Sequence, residues 1–446
     1  MTQLVLPDKA KSIINKLKQH GFEAYVVGGF IRNQLLKREE NQVGIDFTTN
    51  ATPEQIITIF KEAKYENRFG TVIVPLKNHD YVEITTYRTE HSYSDCRHPD
   101  EIKWGKTLEE DLERRDFTIN ALCYDGKHFV DLYNGRRDLE KKLVRTIGKP
   151  EERFKEDALR LIRAVRFSSE LGFTIEPQTL KAIIKNAKLL ELISNERIRD
   201  EFLKILVSKH AADGVMLLKH TGLLAVFLPE LVEAFNIDQI SPQRHHIYNL
   251  GTHLVKTLAE CRNLDPIVRL ASLLHDIGKI KTRAITKEGV VTFYNHEVVG
   301  TEMVYEIGNR LKLSKKQLYK LTKLVRYHQF TVSELQTEKA LRRFINNVDK
   351  ENLQDIIDLR FADRVGSGAK PTSWRTELFL KRLQEVQKQP FKITDLKING
   401  QDVMKTLKLK PEPKVGQILK RVFEAVENQE LTNDRKSLLT YLKKLT

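Results

Sequence analysis

Strand-like patterning stops at Pro150, and from there to the end of the 446-residue chain only amphipathic helical periodicity is found. Before that point short apolar runs alternate with helical segments. Ala24 to Val27 reads as a strand running into Gly28-Gly29, with a helix from about Phe30 to Leu36. Ile45–Thr48, Thr71–Leu76 and Tyr81–Tyr87 read as further strands, the last alternating its side chains between two faces. Thr52-Pro53, a cap followed by proline at the first helical position, opens a helix over Ala51–Lys64. Another helix over Lys9–His20 is closed by Gly21. Glu90 to Lys106 reads as a mobile polar loop and Asn120 to Tyr124 as a strand. Turn signals near Gly172, Gly222, Pro229, Pro242, Gly300 and Pro390 punctuate the helical part. The expected fold class is therefore α+β, a small head of mixed sheet and helices followed by a long all-helical neck, body and tail. The expected divisions are 1–145, 146–230, 231–370 and 371–446.

Hydrophobic residues at 40% and charged residues at 30% fit a globular chain and exclude wholesale disorder. No run approaches the ~18 apolar residues of a membrane span, and Met1 to Lys11 lacks the apolar core of a secretion signal. Cys96, Cys123 and Cys261 are far apart and odd in number. That excludes a disulfide framework and a thiolate zinc module and suits a reducing cytoplasm. Lys plus Arg number 75 against 60 Asp plus Glu, so the net charge of +15 favours a polyanionic partner, nucleic acid before membrane. Arg310 to Arg326 is rich in Lys and Arg on a helical pattern, which suits either a solvated face or a nucleic-acid contact.

Val26-Val27-Gly28-Gly29-Phe30-Ile31-Arg32-Asn33 carries the first chemistry. A strand ends, two glycines turn the chain and a helix begins. Glycine lets backbone N–H groups approach a phosphate, and Arg32 adds a bidentate phosphate contact. Asp46 and Glu83 sit on later strands, where converging acids hold Mg²⁺ with a nucleoside triphosphate. Further on stands Glu110-Asp111-Leu112-Glu113-Arg114-Arg115-Asp116-Phe117-Thr118-Ile119-Asn120-Ala121.

With these blocks in order, the chain resembles the bacterial CCA-adding tRNA nucleotidyltransferases and poly(A) polymerases. The matching text is Gly28-Gly29-x-x-Arg32, Ile45-Asp46-Phe47-Thr48-Thr49-Asn50-Ala51-Thr52-Pro53, Arg68-Phe69-Gly70-Thr71 and Glu83-Ile84-Thr85-Thr86-Tyr87-Arg88. Arg114 to Ala121, Glu156-Asp157-Ala158-Leu159-Arg160 and Asn195-Glu196-Arg197-Ile198 with Glu201 continue it. The resemblance covers the whole head and neck. It implies Mg²⁺-dependent addition of CCA, or part of it, to tRNA 3′ ends from CTP and ATP. The catalytic and metal-binding residues would be Asp46 and Glu83. The nucleotide would lie against Gly28, Gly29, Arg32, Arg115, Asp116, Asn120, Asp157, Arg160, Arg163 and Arg166. The sequence departs from the family at two places. Gly44 stands where the first acid of an Asp-x-Asp metal pair is expected, and Asn33 where an Asp is expected after Arg32. Two outcomes follow: an enzyme that holds its metal through Asp46, Glu83, water and the triphosphate, or a chain that keeps the fold and the tRNA surface without transfer. Glu39 and Glu40 are the nearest substitutes for the missing acid.

In the neck, Asp157 and Arg160 are expected three apart on one helix face, with Arg163 and Arg166 continuing the stripe. An acceptor beside a donor matches the amino group and ring nitrogen shared by cytosine and adenine. Guanine and uracil offer a carbonyl instead, so side chains alone would select C and A.

The body holds Leu273-Leu274-His275-Asp276-Ile277-Gly278-Lys279, with His253 before it and His296, His328 and Asp363 after it. Histidine beside aspartate on an apolar helix requires satisfied partners. The ordered set resembles the HD superfamily of metal-dependent phosphohydrolases. That resemblance implies His253, His275, Asp276 and Asp363 as ligands of a second divalent metal, with His296 and His328 as further ones; the alternative is a helical body that keeps the motif as scaffold. His245-His246 reads as loop. An HD-type phosphohydrolase with a tRNA-binding head, or a non-catalytic tRNA-binding paralogue, are the rival readings of the whole chain.

Overall fold

The computed structural model describes residues 4–38, 44–65, 70–76, 81–91, 101–239, 248–330, 332–387, 393–427 and 430–445. The head is built on a mixed seven-stranded sheet of β1 (Ala24–Val27), β2 (Asp46–Thr49), β3 (Lys64–Tyr65), β4 (Thr71–Pro75), β5 (Tyr81–Thr86), β6 (Cys123–Tyr124) and β7 (Phe129–Val130), in the order β3-β4-β5-β2-β1-β6-β7. The pair β2–β5 is parallel and the others are antiparallel. Strand β1, beside the central β2, buries Ala24, Val26 and Val27 completely. Helix α1 (Gly29–Leu35) leaves its end through the glycine turn.

Three local expectations change. The helix after Thr52 covers only Pro53–Ile59. Thr52 and Gln55 cap it reciprocally, but the chain must reverse at once to lay β3 beside β4. Thr118–Asn120 forms a 3₁₀ turn rather than a strand, so β6 is only two residues long. In the expected loop over Glu90 to Lys106, Arg88–His91 pairs with Glu101–Trp104 as an antiparallel ribbon, and residues 92–100 lie outside the described part.

Helix α2 (Leu108–Glu113) packs Leu108 and Leu112 in a small apolar cluster with Val27 and Cys123 of the sheet, and α3 (Pro150–Glu156), α4 (Leu159–Leu171) and α5 (Asn195–Val207) form the neck. The body follows with α6 (Leu250–Glu260), α7 (Pro266–Leu274), α8 (His296–Arg310), α9 (Lys315–Tyr327) and α10 (Leu353–Gly366). Strand pairing does not end wholly at Pro150. Leu143–Val144 pairs with Thr174–Ile175, and Ala284–Ile285 with Val291–Thr292. One apolar cluster runs from Leu6 in the head through the neck to Ala362 in α10, while a separate cluster from Leu396 to Leu442 organises the last helices. Among the described residues no helix is long and apolar enough to cross a membrane.

Candidate functional site

The register of β2 against β5 sets Asp46 opposite Glu83. Directly opposed residues share a sheet face, so the two carboxylates rise together. On the other side of β2, Val27 pairs with Asp46 and brings the glycine turn alongside. Gly28 has φ 78° and ψ −133°, a conformation closed to other residues in practice. A β-carbon there would also lie 3.9 Å from Asp46 Oδ2, 3.9 Å from Arg115 Nη1 and 3.8 Å from the Asn120 carbonyl. Those are ordinary contact distances, so it is the backbone conformation that requires glycine. The edge of Asp46 reaches solvent, but its surroundings are dense. That burial, and Glu83 beside it, push its pKa up to about 6, with Arg115 pulling the other way. Two facing carboxylates, one reluctant to ionise, make a concentration of negative charge that a divalent cation relieves, so the donor set fits such an ion. Gly44 is exposed and a β-carbon there meets nothing within 4 Å; it contributes no ligand. Glu39, Glu40, Arg68 and Phe69 lie outside the described residues.

The cationic side of the site is held by buried acids. Asp111 is fully buried, accepts from Thr48 Oγ1 at 2.9 Å, and binds Arg114 Nε at 2.9 Å and Arg115 Nη2 at 3.1 Å. Burial opposes its charge, but the two guanidinium groups outweigh it and hold the carboxyl at about 2. Asp111 thus aims Arg115 at Asp46. Its spacing of three and four residues before two arginines is the sequence signal for this role.

A second network ties the glycine turn to the neck. Asn33 is buried and its Oδ1 accepts from Arg32 Nε at 3.1 Å. The oxygen expected near the metal therefore faces Arg32. Arg32 Nη1 donates to Asn120 Oδ1 at 2.6 Å, and Asn120 Nδ2 donates to Asp116 Oδ1 at 3.0 Å. Asp116 Oδ2 accepts from Arg163 Nε of α4 at 2.9 Å. Burial again opposes the charge, and Arg163 with Asn120 holds Asp116 at about 2. Glu201 of α5 sits 2.7 Å from Arg166 Nε. The guanidinium groups of Arg32, Arg163 and Arg166 all lie over the Phe167 ring, at 5.2, 5.3 and 4.1 Å. Three of the five expected arginines are thus gathered at one place, around an aromatic ring that no motif pointed to.

Asp157 and Arg160 do not share a helix face. Asp157 is extended (φ −138°) between α3 and α4, and its Oδ1 caps the Leu159 N–H at 3.0 Å. Its other oxygen lies 3.5 Å from Arg197 Nη2. Arg160 is buried against Glu156 at 2.7 Å, the Arg153 carbonyl at 3.1 Å and the Arg114 carbonyl at 2.8 Å. The helix breaks at Asp157-Ala158 because α4 must turn to lay its arginines against the head.

The body brings all six expected groups together. His253 Nε2 and His275 Nε2 are 3.2 Å apart. They approach Asp276 Oδ2 at 3.4 Å each and Asp363 Oδ1 at 3.4 and 3.6 Å. The other oxygen of Asp276 meets His296 Nε2 at 3.1 Å and His328 Nε2 at 3.4 Å. Three of the rings turn Nδ1 to a backbone carbonyl: His275 to Ser272 at 3.0 Å, His296 to Phe293 at 2.8 Å and His328 to Val325 at 2.7 Å. His253 Nδ1 stands 3.5 Å from Ser367 Oγ. Outer contacts of this kind fix the ring and leave Nε2 free to ligate. Two donor groups result, His253–His275–Asp363 and Asp276–His296–His328, in each of which the ligand atoms lie within 4.8 Å of one another. Lys279 Nζ, missed in the sequence reading, stands 2.6 Å from Asp276 Oδ2 and donates to Gln239 at 2.8 Å. Burial opposes both changes of charge, yet His275 is raised to about 10 by Asp276 and Asp363, and Asp276 is held well below the usual range by Lys279 and His275. A cavity of 490 Å³ opens onto Asp276, His296, His328 and Asp363. His245 and His246 lie outside the described residues.

Much of the basic stripe from Arg310 to Arg326 is tied down. Arg310 pairs with Glu230 at 2.7 Å, Lys320 with Asp265 and Asp355 at 2.9 and 2.7 Å, and Arg326 with Glu297 at 3.3 Å. Lys312, Lys315 and Lys316 are exposed and show no ion pair among the described residues.

Comparison with known proteins covers the chain in pieces and as a whole. Residues 24–145 match the Poly A polymerase head domain family, 172–235 the RNA and SrmB-binding site of polymerase A, and 290–442 the tRNA nucleotidyltransferase domain 2 family. A CCA-adding enzyme of Ligilactobacillus salivarius is 32% identical over 446 residues, covering 99% of this chain and 98% of that one. A CCA-adding enzyme of Geobacillus stearothermophilus is 33% identical over 437 residues, covering 97% and 96%. The crystal structure of the Bacillus stearothermophilus CCA-adding enzyme in complex with CTP superimposes with a TM-score of 0.70 at 29% identity, covering 99% of this chain and 98% of that one.

Proposed function

The chain belongs to the CCA-adding enzymes, and from that premise we propose that it extends tRNA 3′ ends with CCA, or part of it, from CTP and ATP. The observation that carries the reading is the in-register pair Asp46–Glu83 beside the Gly28 turn. In the reaction the terminal tRNA 3′-hydroxyl attacks the α-phosphate and pyrophosphate leaves. Asp46 and Glu83 are the residues assigned to hold Mg²⁺, which when bound supplies charge neutralisation at the reacting phosphate. With a pKa of about 6, Asp46 is ionised in most molecules at neutral pH. Gly28 and Gly29 let the backbone approach the triphosphate. Arg115, aimed by Asp111, and Arg32, Arg163 and Arg166, tied through Asn120, Asp116 and Glu201, give the pocket its positive charge. Fixed donors of this kind need little reorganisation when charge develops.

Base choice is assigned to Asp157 and Arg160. Asp157 already stands beside the guanidinium of Arg197, an acceptor next to a donor. Arg160 would exchange Glu156 for a base edge. The proposed divisions are a nucleotidyltransferase head at 1–145, a neck at 146–230, a body at 231–370 and a tail at 371–446, in a cytoplasmic protein.

A second reading is favoured by one observation, the six converging imidazole and carboxylate groups of the body. These fit one or two divalent cations, which when bound supply an activated water for phosphoester hydrolysis. The deciding experiment is incubation with tRNA lacking its terminal nucleotides, labelled CTP and ATP, and Mg²⁺ or Mn²⁺. Label in the tRNA, lost in Glu83→Gln, supports transfer. Tight tRNA binding without incorporation supports the non-catalytic reading.

A further inference from the structure

Three positive charges meet at one buried ring. Phe167 of α4 is 5% exposed, and the guanidinium carbons of Arg32, Arg163 and Arg166 stand 5.2, 5.3 and 4.1 Å from its centroid. The three charges therefore lie within about one screening length of each other, ~10 Å in ordinary buffer. Like charges this close repel, and burial adds to the cost. The Arg166 pKa is lowered by burial first and by Arg163 next. Something must hold the three together before an anion arrives.

Carboxylates do part of this. Asp116 takes Arg163, and Glu201 and Glu170 take Arg166 at 2.7 and 3.5 Å. A carboxylate, however, cancels the charge it holds and competes with a phosphate for the same N–H groups. An aromatic face does neither. It attracts a cation through its quadrupole and leaves the guanidinium edge free to donate. Arg32 shows the arrangement most simply, held by the neutral oxygens of Asn33 and Asn120 and by the ring. The ring is itself fixed. It meets Phe117 of the head edge to face, with centroids 5.6 Å apart at 78°. Phe117 is fully buried, and its N–H donates to Asp116 Oδ1 at 2.8 Å. Arg32 and Phe117 belong to the head and Arg163, Arg166 and Phe167 to the neck, so the ring stands at the joint between them.

We propose that Phe167 is a positioning residue for the nucleotide's triphosphate: its ring holds Arg32, Arg163 and Arg166 together without neutralising them, so that the three present one preformed site for phosphate oxygens. This rests on the reading of the head as a CTP and ATP site. The role lies in the electrostatics of the ring rather than its bulk. Because the triphosphate is common to CTP and ATP, it serves both nucleotides alike. Donors already gathered need less ordering when the anion binds.

The test replaces Phe167 in the full chain by difluoro- and trifluorophenylalanine and by leucine, and measures binding of CTP, ATP and inorganic tripolyphosphate by calorimetry. Fluorine withdraws charge from the ring face with little change of shape, so it removes the electrostatic role and keeps the packing. Affinity for all three probes should fall stepwise with fluorination, about tenfold for the trifluoro ring, and Phe167→Leu should fall at least as far. CTP and ATP should lose by the same factor, seen in transfer assays as a raised KM with kcat and the choice of base little changed. With Arg166→Gln as background the fluorine effect should shrink, since the nearest cation is gone. Leucine in a buried aromatic site lowers stability as well, so thermal melts accompany each variant and the fluorinated series carries the decision. Fluorinated chains that bind all three probes like the parent would overturn the assignment, even beside a weakened leucine variant, because the ring would then be packing alone. A parent chain that does not bind tripolyphosphate, or a loss confined to one nucleotide, would overturn it too. Stepwise loss of triphosphate affinity in a chain that adds nothing to tRNA would refute transfer and leave this inference standing. Transfer by a chain whose affinity is indifferent to fluorine would refute this inference alone.

Discussion

Acidification should loosen the head's hold on its cation, because Asp46 must be ionised to ligate. An ordinary aspartate near 3.9 would change its ionised fraction by less than about 10% between pH ~7.5 and pH ~5. At a pKa of about 6, Asp46 falls from nearly fully ionised to about one tenth over the same range, so apparent Mn²⁺ affinity should drop roughly tenfold. The sign for the metal-free fold is the reverse. A carboxyl raised above its unfolded value costs stability once it ionises, so the metal-free head should lose stability as pH rises from ~4 through ~6, and added cation should restore it. Burial is the larger cause and Glu83 the next. Glu83→Gln should therefore move the midpoint of the binding curve down, but not to that of an ordinary aspartate. The assay is Mn²⁺ titration of the full chain followed by electron paramagnetic resonance across this pH range, with Asp276→Asn combined with Asp363→Asn as the background, so that both donor groups of the body are disabled and the head is read. Affinity that stays flat from pH ~5 to pH ~7.5, or a midpoint unmoved by Glu83→Gln, would refute the argument that these two carboxylates share one cation site.

Gly44→Asp should be tolerated by the fold, since a β-carbon there meets nothing, and should lower the Mg²⁺ concentration needed for CCA addition; equal requirements in the two proteins would show that Gly44 is not a missing ligand. Asp116→Asn should destabilise the head–neck contact by about 2 kcal/mol near neutral pH, from a carboxyl held at about 2 against its usual 3.8. That stability is present above pH ~4 and lost as pH falls through ~2, so the variant and parent should converge in acid denaturation; a constant gap would count against the Asp116–Arg163 pair. Asp157→Ala or Arg160→Ala should blur the choice of CTP and ATP while leaving tRNA affinity in place, checked by incorporation of all four nucleotides; retained selection with collapsed tRNA binding would reverse the assignment. The net charge of +15 should make tRNA affinity fall with salt at a log–log slope of about −0.7 to −0.9 per phosphate neutralised, read from binding isotherms at several salt concentrations; a flat dependence would remove the electrostatic account.

The chain by itself determined what depends on near neighbours. The Gly28-Gly29 turn, the Thr52-Pro53 cap and the change to helical patterning near Pro150 are local, because glycine freedom, capping bonds and side-chain period act over a few residues. The order of His253, His275, Asp276, His296, His328 and Asp363 was equally legible as a set of ligand types. Only the tertiary structure decided how distant pieces meet. The parallel register that opposes Asp46 to Glu83 is set by burial of the sheet faces, and a shift of one residue would have put the two carboxylates on opposite faces. Asp157 and Arg160, three apart in sequence, part company because the neck helix breaks to dock on the head. Asn33 turns its oxygen to Arg32 because a buried guanidinium must be satisfied. Asp276 can offer one oxygen to each pair of histidines only because three segments distant in sequence, carrying His253, His296 and His328, pack around the His275-Asp276 pair, and that is a property of long-range packing which no window of the sequence contains.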